Sequence, residues 1–586
     1  MRIFFNLSGK YALIGLFLLF FSCKKEDDGE VAEVYPDDLP AVQEITFTNL
    51  LGCFSSGIEE KTATIPAQYD EIDKPIMTAT VRVVIDPSIL VAQVSKYIYG
   101  NNVNQYCGKL NIETKLVGYL NILKPHILRY PGGLHSNEFF WNSDTRANLP
   151  DDLPEKLLDY ARKEYDPYWC VGINGDSWNF GINSFYELLM KTNCEAVMTV
   201  NYSYARYGTG PAPVQTAAHL AAEWVRYDYK KTLEMGIQPT RYWEIGNENC
   251  ASWASGYYIN KSLNQDGQPE MITPELYGQH LTVFTDSMRK AAAESGHTIY
   301  IGSQNDIGVF AGAGNAPDWM VDHTYFTPYQ QNSSAKTILN SVVDEMPEYP
   351  EKTKTETSKY GLPMKAYTLT EWNIFAEGSG QNTSYINGMH AVMVLGEMIK
   401  NQYGMGNRWD IVNGWTSTGD DMGMFSLGTD PDGPTAKWNP RAIFYYMYYF
   451  QEFFGDKMVN YAIDSTGSDI LVYPSSFSSG ELGIILLNKG LDEQIVQFYF
   501  RNFAPGGRYY YYSLTGGNER AAESLRAAEM SRQVFMNGIG PSTIVGGPAD
   551  SFQTIHPYSS TMTNTFKIIS PARSVQYILM EKKKND

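Results

Sequence analysis

Hydrophobic residues change their spacing along this chain of 586 residues. From about residue 95 to residue 455, short aliphatic and aromatic runs alternate with longer segments whose apolar residues recur at helical spacing. Such alternation is typical of βα units around a parallel sheet. After Phe454 the helical spacing gives way to short alternating runs, several of them separated by Gly, Asn and Ser. The pattern predicts a (β/α)8 TIM barrel at 95–455 and a C-terminal antiparallel β-sandwich at 456–586.

Eight short runs carry the barrel prediction. They are Lys96–Asn102, His126–Tyr130, Ala196–Asn201, Tyr242–Gly246, Thr298–Ser303, Met320–Tyr325, Ala366–Thr370 and Ile411–Trp415. Helical periodicity is clearest between them and just after them, at Ile182–Lys191, Thr216–Glu234, Glu275–Ser295, Tyr385–Asn401 and Pro440–Phe454. A long segment after the second run, from about His135 to Asn179, is rich in Trp, Asp and Asn, which is typical of a functional loop.

The sandwich prediction rests on alternation of period two. The candidate strands are Asp469–Tyr473, Leu482–Leu487, Gln494–Phe500, Arg508–Ser513 and Val575–Met580. An earlier alternating run, Thr78–Ile85, is expected to join the same sheet, so residues 76–94 are assigned to it. Residues 24–75 are polar with scattered prolines and are predicted to form a tether.

The first 23 residues are predicted to be a lipoprotein signal peptide. Arg2 and Lys10 precede an apolar run that is too short to span a membrane as a mature helix. Leu19-Phe20-Phe21-Ser22-Cys23 resembles a bacterial lipobox, which implies lipidation of Cys23 and an outer-membrane anchor. The charged residues that follow resemble the tethers of Bacteroidetes-type lipoproteins, which favour export to the cell surface. The alternative is a plain secretory signal, and both interpretations place the protein at the cell surface or in the periplasm.

Charge and cysteine content narrow the function classes. The formal net charge of −19 argues against a nucleic-acid partner or an anionic membrane surface and fits a neutral substrate. With 42 Tyr and 11 Trp, the chain has many flat side chains with a polar tip, which suit sugar rings as well as core packing. Five cysteines follow Cys23, so at least one thiol would stay unpaired, and their spacing assigns no pairs. There is no CxxC or HExxH spacing, and neither a metal nor a cofactor is predicted.

Two of the candidate strands lead into a glutamate. Trp243-Glu244-Ile245-Gly246-Asn247-Glu248 closes the fourth run, and Thr370-Glu371-Trp372 closes the seventh. Strands four and seven lie across an eight-stranded barrel from each other, and chemistry in this fold takes place at the carboxyl ends of the strands. Two carboxylates facing each other there are the minimum equipment for retaining glycoside hydrolysis. The alternative is that these are two unrelated carboxylates that happen to lie at strand ends and share no function.

The same stretches resemble a known group of enzymes. Trp243–Glu248, Leu128-Arg129-Tyr130-Pro131-Gly132-Gly133 and Phe180–Leu188 through Val200-Asn201 are similar to clan A retaining glycosidases, of the α-L-arabinofuranosidase (family 51) and heparanase/β-glucuronidase (family 79) type. The resemblance covers roughly residues 95 to 455. It implies that Glu248 is the acid/base, that Glu371 is the nucleophile and that Asn247 binds a sugar hydroxyl beside the reacting carbon.

Further candidates surround this pair. By resemblance Tyr325 would hydrogen-bond the nucleophile, with a core tyrosine as the alternative, and His323 ends the same strand. Arg129 would keep Glu371 ionised, or form a purely structural ion pair. Asn201 and Trp415 lie at strand ends as potential substrate contacts. Trp372 is either a sugar platform or barrel packing.

The chain also departs from the arabinofuranosidase pattern. Asn104 occupies the position of a substrate-binding Glu, and Leu134-His135 follows Gly132-Gly133 where an Asn normally comes next. These positions hold the terminal sugar, so furanose specificity does not follow from the resemblance.

The expected function is therefore retaining hydrolysis of a plant or algal polysaccharide or oligosaccharide. One alternative is the same chemistry on a uronide or a galactan. The other is a non-catalytic surface glycan-binding lipoprotein. The sequence leaves linkage, exo or endo action, oligomeric state and cysteine pairing open.

Overall fold

The structure is a computed structural model that describes residues 36–173, 176–416, 422–430, 436–464, 469–518, 523, 530–541 and 545–583. The predicted leader and Cys23 lie outside these residues. Eight parallel strands form a closed barrel: β1 (Gly100–Asn102), β2 (Ile127–Tyr130), β3 (Glu195–Val200), β4 (Tyr242–Ile245), β5 (Tyr300–Gln304), β6 (Trp319–Tyr325), β7 (Ala366–Asn373) and β8 (Met405–Arg408). Each strand pairs with the next in the chain, and Asn407 of β8 pairs with Gly100 of β1. The predicted TIM barrel is confirmed.

The first and last predicted barrel strands are wrong in detail. Residues Lys96–Tyr99 form a 3-10 turn, so β1 begins only at Gly100. The eighth strand is Met405–Arg408 rather than Ile411–Trp415, which follows it as a loop. Its Met-Gly-Asn-Arg sequence lacks the β-branched residues that mark a strand. A Cβ atom at Gly406 would lie 2.7 Å from the end of the Met398 side chain, which would have to move to admit a larger residue.

Helices cover the outside of the barrel. They are α1 (Thr114–Leu123), α2 (Ile182–Thr192), α3 (Tyr204–Tyr207), α4 (Pro213–Met235), α5 (Pro274–Glu294), α6 (Val309–Ala313), α7 (Ala335–Asn340), α8 (Glu348–Lys359), α9 (Ser379–Asn382), α10 (Tyr385–Lys400) and α11 (Ala442–Phe453). The five predicted helices are all present. Local sequence sets their ends: the Thr273 side chain accepts from the Leu276 backbone N–H at the start of α5, and Gly236 ends α4 in the left-handed conformation.

One continuous sheet follows the barrel. Its strand order is Asp70–Glu71, Tyr558–Thr561, Pro505–Thr515, Ser574–Lys582, Leu482–Asn488, Ile470–Ser476, Lys457–Asp464, Val81–Gln93, Gln494–Phe500 and Phe566–Ser570, with Phe535–Met536 paired to Pro505–Thr515. The predicted early strand joins it, as expected. The sheet is mixed rather than purely antiparallel, because Val81–Gln93 runs parallel to Gln494–Phe500 and Asp70–Glu71 runs parallel to Tyr558–Thr561.

The sheet is buried on both faces. In Leu482–Asn488, Ile484 and Leu486 belong to a core that the sheet forms by curling over itself, where Tyr509 stacks on Phe566 at 4.3 Å between ring centroids. Ile485 and Leu487 belong to the large core shared with the barrel helices. Helix α10 packs in this shared core and is buried on all sides, with Asn387, His390 and Glu397 among its buried residues.

Part of the predicted tether belongs to the fold. Residues Gly52–Gly57 form a 3-10 helix, and Phe54 is completely buried against Tyr242 and Trp319 at the amino-terminal end of the barrel strands. The 24–75 assignment is wrong for this segment, since Leu51 and Phe54 supply the apolar side chains that close the barrel floor.

Two further observations concern the cysteines and the helices. No disulfide joins Cys53, Cys107, Cys170, Cys194 and Cys250, which all lie in the described part of the chain. Within the ranges given above, no helix has the length and apolar character needed to cross a membrane.

Candidate active site

The turn after β4 presents Asn247 and Glu248 at the barrel mouth. The strand ends at Ile245, and Gly246 and Glu248 both adopt positive φ, at +78° and +50°. At Gly246 a Cβ atom would lie 2.2 Å from the Asn249 side chain, so only glycine fits the turn. A left-handed conformation is uncommon for glutamate and is typical of functional sites.

A β-bulge in β7 turns Glu371 toward the mouth. Asp322 of β6 pairs with Leu369, but the next residue, His323, pairs with Glu371, so Thr370 is an extra residue. In a regular strand Glu371 would share the face of Leu369, which packs outward against the helices. Because of the bulge, Thr370 and Glu371 both face the interior. The Thr370 hydroxyl lies 3.2 Å from His323 Nε2.

Both oxygens of Glu371 accept hydrogen bonds. Arg129 Nη1 donates to Oε1 at 2.8 Å, and the Tyr325 hydroxyl donates to Oε2 at 2.9 Å. Each Glu371 oxygen thus accepts a hydrogen bond, as both oxygens of a carboxylate can. The predicted contacts of Arg129 and Tyr325 with Glu371 are therefore present.

Glu248 is held from two sides. His323 Nδ1 lies 2.8 Å from Oε1, and the Trp253 indole donates to Oε2 at 2.5 Å. Burial raises the pKa of Glu248, but these two hydrogen bonds and the positive charge of His323 outweigh it and hold the pKa below its ordinary value. Burial lowers the pKa of His323, and the charges of Glu371 and Glu248 outweigh burial and raise it. Both shifts have a common cause, the hydrogen bond between the imidazole and the Glu248 carboxylate, which favours the charged form of each group.

Arg129 joins the two strands that carry the carboxylates. Its Nε donates to Glu244 Oε2 at 2.6 Å, and its Nη2 donates to Asn247 Oδ1 at 2.8 Å. Its Nη1, besides Glu371, also donates to Asn102 Oδ1 at 3.0 Å. Arg129 and Glu244 are completely buried, so the cost of burying each charge is offset by the other. Glu244 Oε2 also accepts from the Thr199 hydroxyl at 3.2 Å, whereas Oε1 has no hydrogen-bond partner among the described residues.

Asn247 keeps one donor for a substrate. Its backbone is fixed by Asn137, whose side chain donates to the Asn247 carbonyl at 2.8 Å. Its Oδ1 is taken by Arg129, while its Nδ2 has no hydrogen-bond partner among the described residues. A buried, unpaired donor beside the candidate acid/base Glu248 suits a sugar hydroxyl, as the resemblance implies.

Two predicted substrate contacts have other roles. Trp372 is only 1% exposed and packs in the core between barrel and helices, because the bulge that turns Glu371 inward turns Trp372 outward. The sugar-platform hypothesis for Trp372 is wrong. The Asn201 side chain binds the loop after β3. Its Oδ1 accepts from the Tyr204 N–H, and its Nδ2 donates to the Tyr207 hydroxyl.

Asn104 and Trp415 also stabilise loops. Asn104 donates to the Asp410 carboxylate and to the Val412 carbonyl, which fastens the loop after β1 to the loop after β8. Trp415 lies in the loop after β8, where the Arg532 guanidinium stacks at 4.8 Å from its ring centroid. The prediction that Trp415 ends a barrel strand is wrong.

Several residues of the site were not predicted. Glu244, which the sequence analysis quotes only as part of the β4 motif, pairs with Arg129. Asn102 and Asn137 fix the network, and strand parity would have placed Asn102 inside the barrel. No sequence pattern predicted the contact between Trp253 and Glu248, because a turn of irregular backbone separates the two residues.

The carboxylates and His323 are close enough to hold a cation. One ligand atom from each of Glu248, His323 and Glu371 lies within 4.8 Å of the others. The Arg129 guanidinium, 2.8 Å from Glu371 Oε1, already places a positive charge there, which opposes a metal ion. The cluster has the electrostatics of an acid–base site.

The long loop after β2 is anchored beside this site by a buried carboxylate. Glu138 accepts from the Tyr165 hydroxyl at 3.0 Å, from the Tyr168 N–H at 2.6 Å and from the Ser255 hydroxyl at 2.6 Å. Ser255 belongs to the loop after β4, so Glu138 ties that loop to the long one.

Comparison with known proteins identifies the fold. The chain matches no protein-family model and no curated protein. The α-L-arabinofuranosidase of Thermotoga maritima matches with a TM-score of 0.57 at 17% identity, over 85% of this chain and 99% of that one. The GH51 α-L-arabinofuranosidase of Thermotoga petrophila RKU-1 matches with a TM-score of 0.59 at 17% identity, over 86% and 100%. A glycoside hydrolase family 44 xyloglucanase of Paenibacillus polymyxa matches with a TM-score of 0.53 at 12% identity, over 86% and 100%.

These matches cover barrel and sheet together. At such low identities they show a shared fold, and the resemblance to clan A glycosidases of the family 51 type is confirmed at that level. Activity and substrate rest on the site itself.

Proposed function

We propose that this protein is a retaining glycoside hydrolase that cleaves a plant or algal polysaccharide or oligosaccharide by double displacement. Glu371 is the nucleophile and Glu248 is the acid/base. The observation that carries the proposal is the pair itself, whose nearest oxygens lie within 4.8 Å of each other at the barrel mouth. Retaining enzymes hold their carboxyl groups about 5–5.5 Å apart, whereas inverting enzymes need about 6.5–9.5 Å to admit a water molecule.

The first step forms a glycosyl-enzyme. A Glu371 oxygen attacks the anomeric carbon, the bond to the leaving oxygen breaks, and Glu248 gives that oxygen its proton. In the second step Glu248 takes a proton from water, whose oxygen attacks the anomeric carbon and releases Glu371. Arg129 and Tyr325 keep the Glu371 carboxylate in position for attack throughout.

His323 supplies the proton that Glu248 needs. In the free protein the His323–Glu248 pair holds one proton on the imidazole side. A bound sugar excludes water, and a desolvated site penalises two separated charges more than a neutral pair. Transfer along the 2.8 Å hydrogen bond then gives neutral histidine and a protonated Glu248, which is the form a general acid requires.

The hydrogen bonds of Arg129 support a neutral sugar at the reacting position. Its Nε, Nη1 and Nη2 all donate to protein acceptors, so it does not offer the charge that would hold a uronide carboxylate. The matched structures are named for action on arabinofuranosides and xyloglucan. Hemicellulose-type oligosaccharides are the first substrates to test, and galactans and uronides are the second.

We also propose that the protein acts at the cell surface or in the periplasm, anchored to the outer membrane through a lipid on Cys23. The support is the lipobox-like sequence and the charged residues after it. Metabolic labelling with a palmitate analogue tests this: the wild type is expected to incorporate label, and Cys23→Ala is not. Label retained in Cys23→Ala would refute the anchor.

Removal of the nucleophile tests the activity. Glu371→Ala is expected to lose hydrolysis by on the order of 10⁵-fold, the scale of nucleophile deletion in other hydrolases. Glu377→Ala is the matched control, because Glu377 is an exposed carboxylate in the loop after the same strand. Hydrolysis that survives in Glu371→Ala would refute the assignment. Oligosaccharide binding without hydrolysis by the wild type would instead favour a glycan-binding protein.

A further inference from the structure

A pocket lies at the amino-terminal end of the barrel, opposite the candidate active site. It has a volume of about 420 Å³ and opens to solvent beside the starts of β5, β6 and β7 and the end of α5. Small-molecule sites in proteins have volumes of about 300–1,000 Å³, so the space is sufficient for a sugar-sized ligand. The lining includes Arg289, His297, Tyr300, Asn315, Asp318 and Lys365.

This pocket is separate from the two candidate catalytic carboxylates. Lys365 directly precedes β7, and Glu371 follows six residues later, near the other end of that strand. An extended strand rises about 3.3 Å per residue, which places the two residues on the order of 20 Å apart. A ligand in the pocket would therefore not touch Glu248 or Glu371, and its binding is independent of the proposed hydrolysis.

Lys365 is a buried cation without a close counterion. Only 8% of the residue is exposed, and its ammonium group makes no hydrogen bond and no ion pair with the described residues. Burial lowers the pKa of Lys365, and the negative charge of Asp318 opposes this shift only in part. Because a charge removed from water is costly unless it is paired, this position favours the binding of an anion.

The Asp318 carboxylate is already bound by other groups. Its Oδ2 accepts from Arg289 Nη2 at 2.8 Å and from the Ile301 N–H at 2.7 Å. The same Arg289 nitrogen also donates to the Ala316 carbonyl at 3.0 Å, whereas Nε and Nη1 of Arg289 make no hydrogen bond with the described residues. Arg289 and Lys365 thus both keep N–H donors for a ligand, in a chain whose net charge is −19.

The other polar groups of the lining are compatible with an anion. His297 Nε2 lies 3.1 Å from the Thr240 carbonyl, so this nitrogen carries a proton and donates. The Tyr300 hydroxyl and the Asn315 side-chain amide make no hydrogen bond within the described part of the chain. Each can donate to an oxygen of a ligand.

We propose that this pocket binds a small molecule through a carboxylate, sulfate or phosphate group, with Lys365 and Arg289 as its cationic partners. Hydrogen bonds between such a group and an ammonium or guanidinium are shorter and stronger than those between neutral groups. Acidic sugars and free phosphate share this chemistry, and the volume of the pocket admits both.

Calorimetric titration of the full chain tests the proposal. The probes are glucuronate, a glucose sulfate and inorganic phosphate, with glucose as the neutral comparison. At least one anion is expected to bind with a Kd of about 1 mM or tighter. Tighter binding of either sugar anion than of phosphate would identify an acidic sugar as the ligand, and the reverse order would identify a free oxyanion. Binding of none of the three anions, or equally tight binding of glucose, would overturn the proposal.

Lys365→Met removes the charge and keeps the length of the side chain. It is expected to weaken anion binding by about tenfold or more, and Arg289→Gln is expected to weaken it as well. The Tm of Lys365→Met should not fall, because an apolar side chain replaces a buried charge that has no close partner. Lys290→Met is the matched control, since Lys290 is an exposed lysine on α5 outside the pocket. Anion binding by Lys365→Met that is as tight as in the wild type would overturn the proposal.

Glu371→Ala separates this pocket from the candidate active site. This variant is expected to bind the anion with the wild-type Kd, and Lys365→Met is expected to hydrolyse substrate at the wild-type rate. Loss of anion binding in Glu371→Ala would place the anion at the barrel mouth and overturn the pocket. Anion binding that depends on Lys365 in a protein without hydrolytic activity would support the pocket while refuting the proposed function.

Discussion

His323 Nδ1 lies 2.8 Å from Glu248 Oε1 and 3.9 Å from Glu371 Oε1. One imidazole thus contacts the carboxylate that carries a proton in the proposed mechanism and lies close to the one that is ionised in it. The bulge at Thr370 makes this arrangement possible, because it places His323 and Glu371 side by side on neighbouring strands. Glu248, His323 and Glu371 form a triad of interacting ionisable groups.

The triad predicts a pH-dependent contribution to stability. The raised pKa of His323 contributes stability that is fully present below the ordinary histidine value of 6.5 and is lost as pH rises through the folded value. The lowered pKa of Glu248 contributes stability that is present above 4.5 and is lost as pH falls through the folded value. Both contributions coexist between these two pH values.

His323→Gln is therefore expected to lower the free energy of unfolding most between about pH 4.5 and 6.5, by about 2 kcal/mol, and less outside this window. Denaturant unfolding across the pH range measures the difference from wild type. His219→Gln, at an exposed position on α4, is the control. A difference that does not vary with pH would show that His323 acts only by packing.

Tyr325→Phe tests the hydrogen bond to the nucleophile. Loss of one hydrogen bond to a charged group costs about 1.5–3 kcal/mol, so kcat is expected to fall by about tenfold to a hundredfold with little change in Tm. Steady-state kinetics with an aryl glycoside measures the effect. Tyr329→Phe, an exposed tyrosine after the same strand, should leave kcat unchanged. An unchanged kcat in Tyr325→Phe would mean that Arg129 alone positions Glu371.

Trp372→Ala distinguishes a core residue from a substrate contact. Because Trp372 is buried among barrel and helix side chains, its removal is expected to cost about 3–5 kcal/mol of folding stability. KM measured well below the unfolding temperature should stay near the wild-type value. Trp178→Ala, at an exposed tryptophan, should leave stability unchanged. A raised KM in a fully stable Trp372→Ala variant would restore the sugar-platform hypothesis.

Sequence periodicity was sufficient to predict the barrel and the place of Glu248 just after β4. Long helices such as Pro213–Met235 have a clear period, and the Gly-Asn-Glu turn after β4 follows a buried strand. The eighth strand could not be predicted, since Met-Gly-Asn-Arg has neither alternation nor β-branched residues, whereas the following Ile-Val pair resembles a strand and is buried in a loop.

The direction of side chains was harder to predict than the elements. Strict alternation in β7 would have pointed Glu371 at the helices and Trp372 at the mouth. The extra residue at Thr370 reverses both, and no local sequence feature marks a bulge of this kind. The predicted substrate contact of Asn201 is wrong for a related reason. Its side-chain amide is hydrogen-bonded to backbone and hydroxyl groups of a loop whose path is set by tertiary contacts.

Mass spectrometry after incubation with 2-fluoro glycosyl inactivators tests the central claim most directly. A retaining enzyme forms the glycosyl-enzyme with such reagents, and the fluorine slows its hydrolysis. We expect a covalent sugar on the peptide that contains Glu371, and no labelling in Glu371→Ala. An adduct on a different carboxylate, or no adduct from the sugar whose glycosides the wild type hydrolyses, would contradict it.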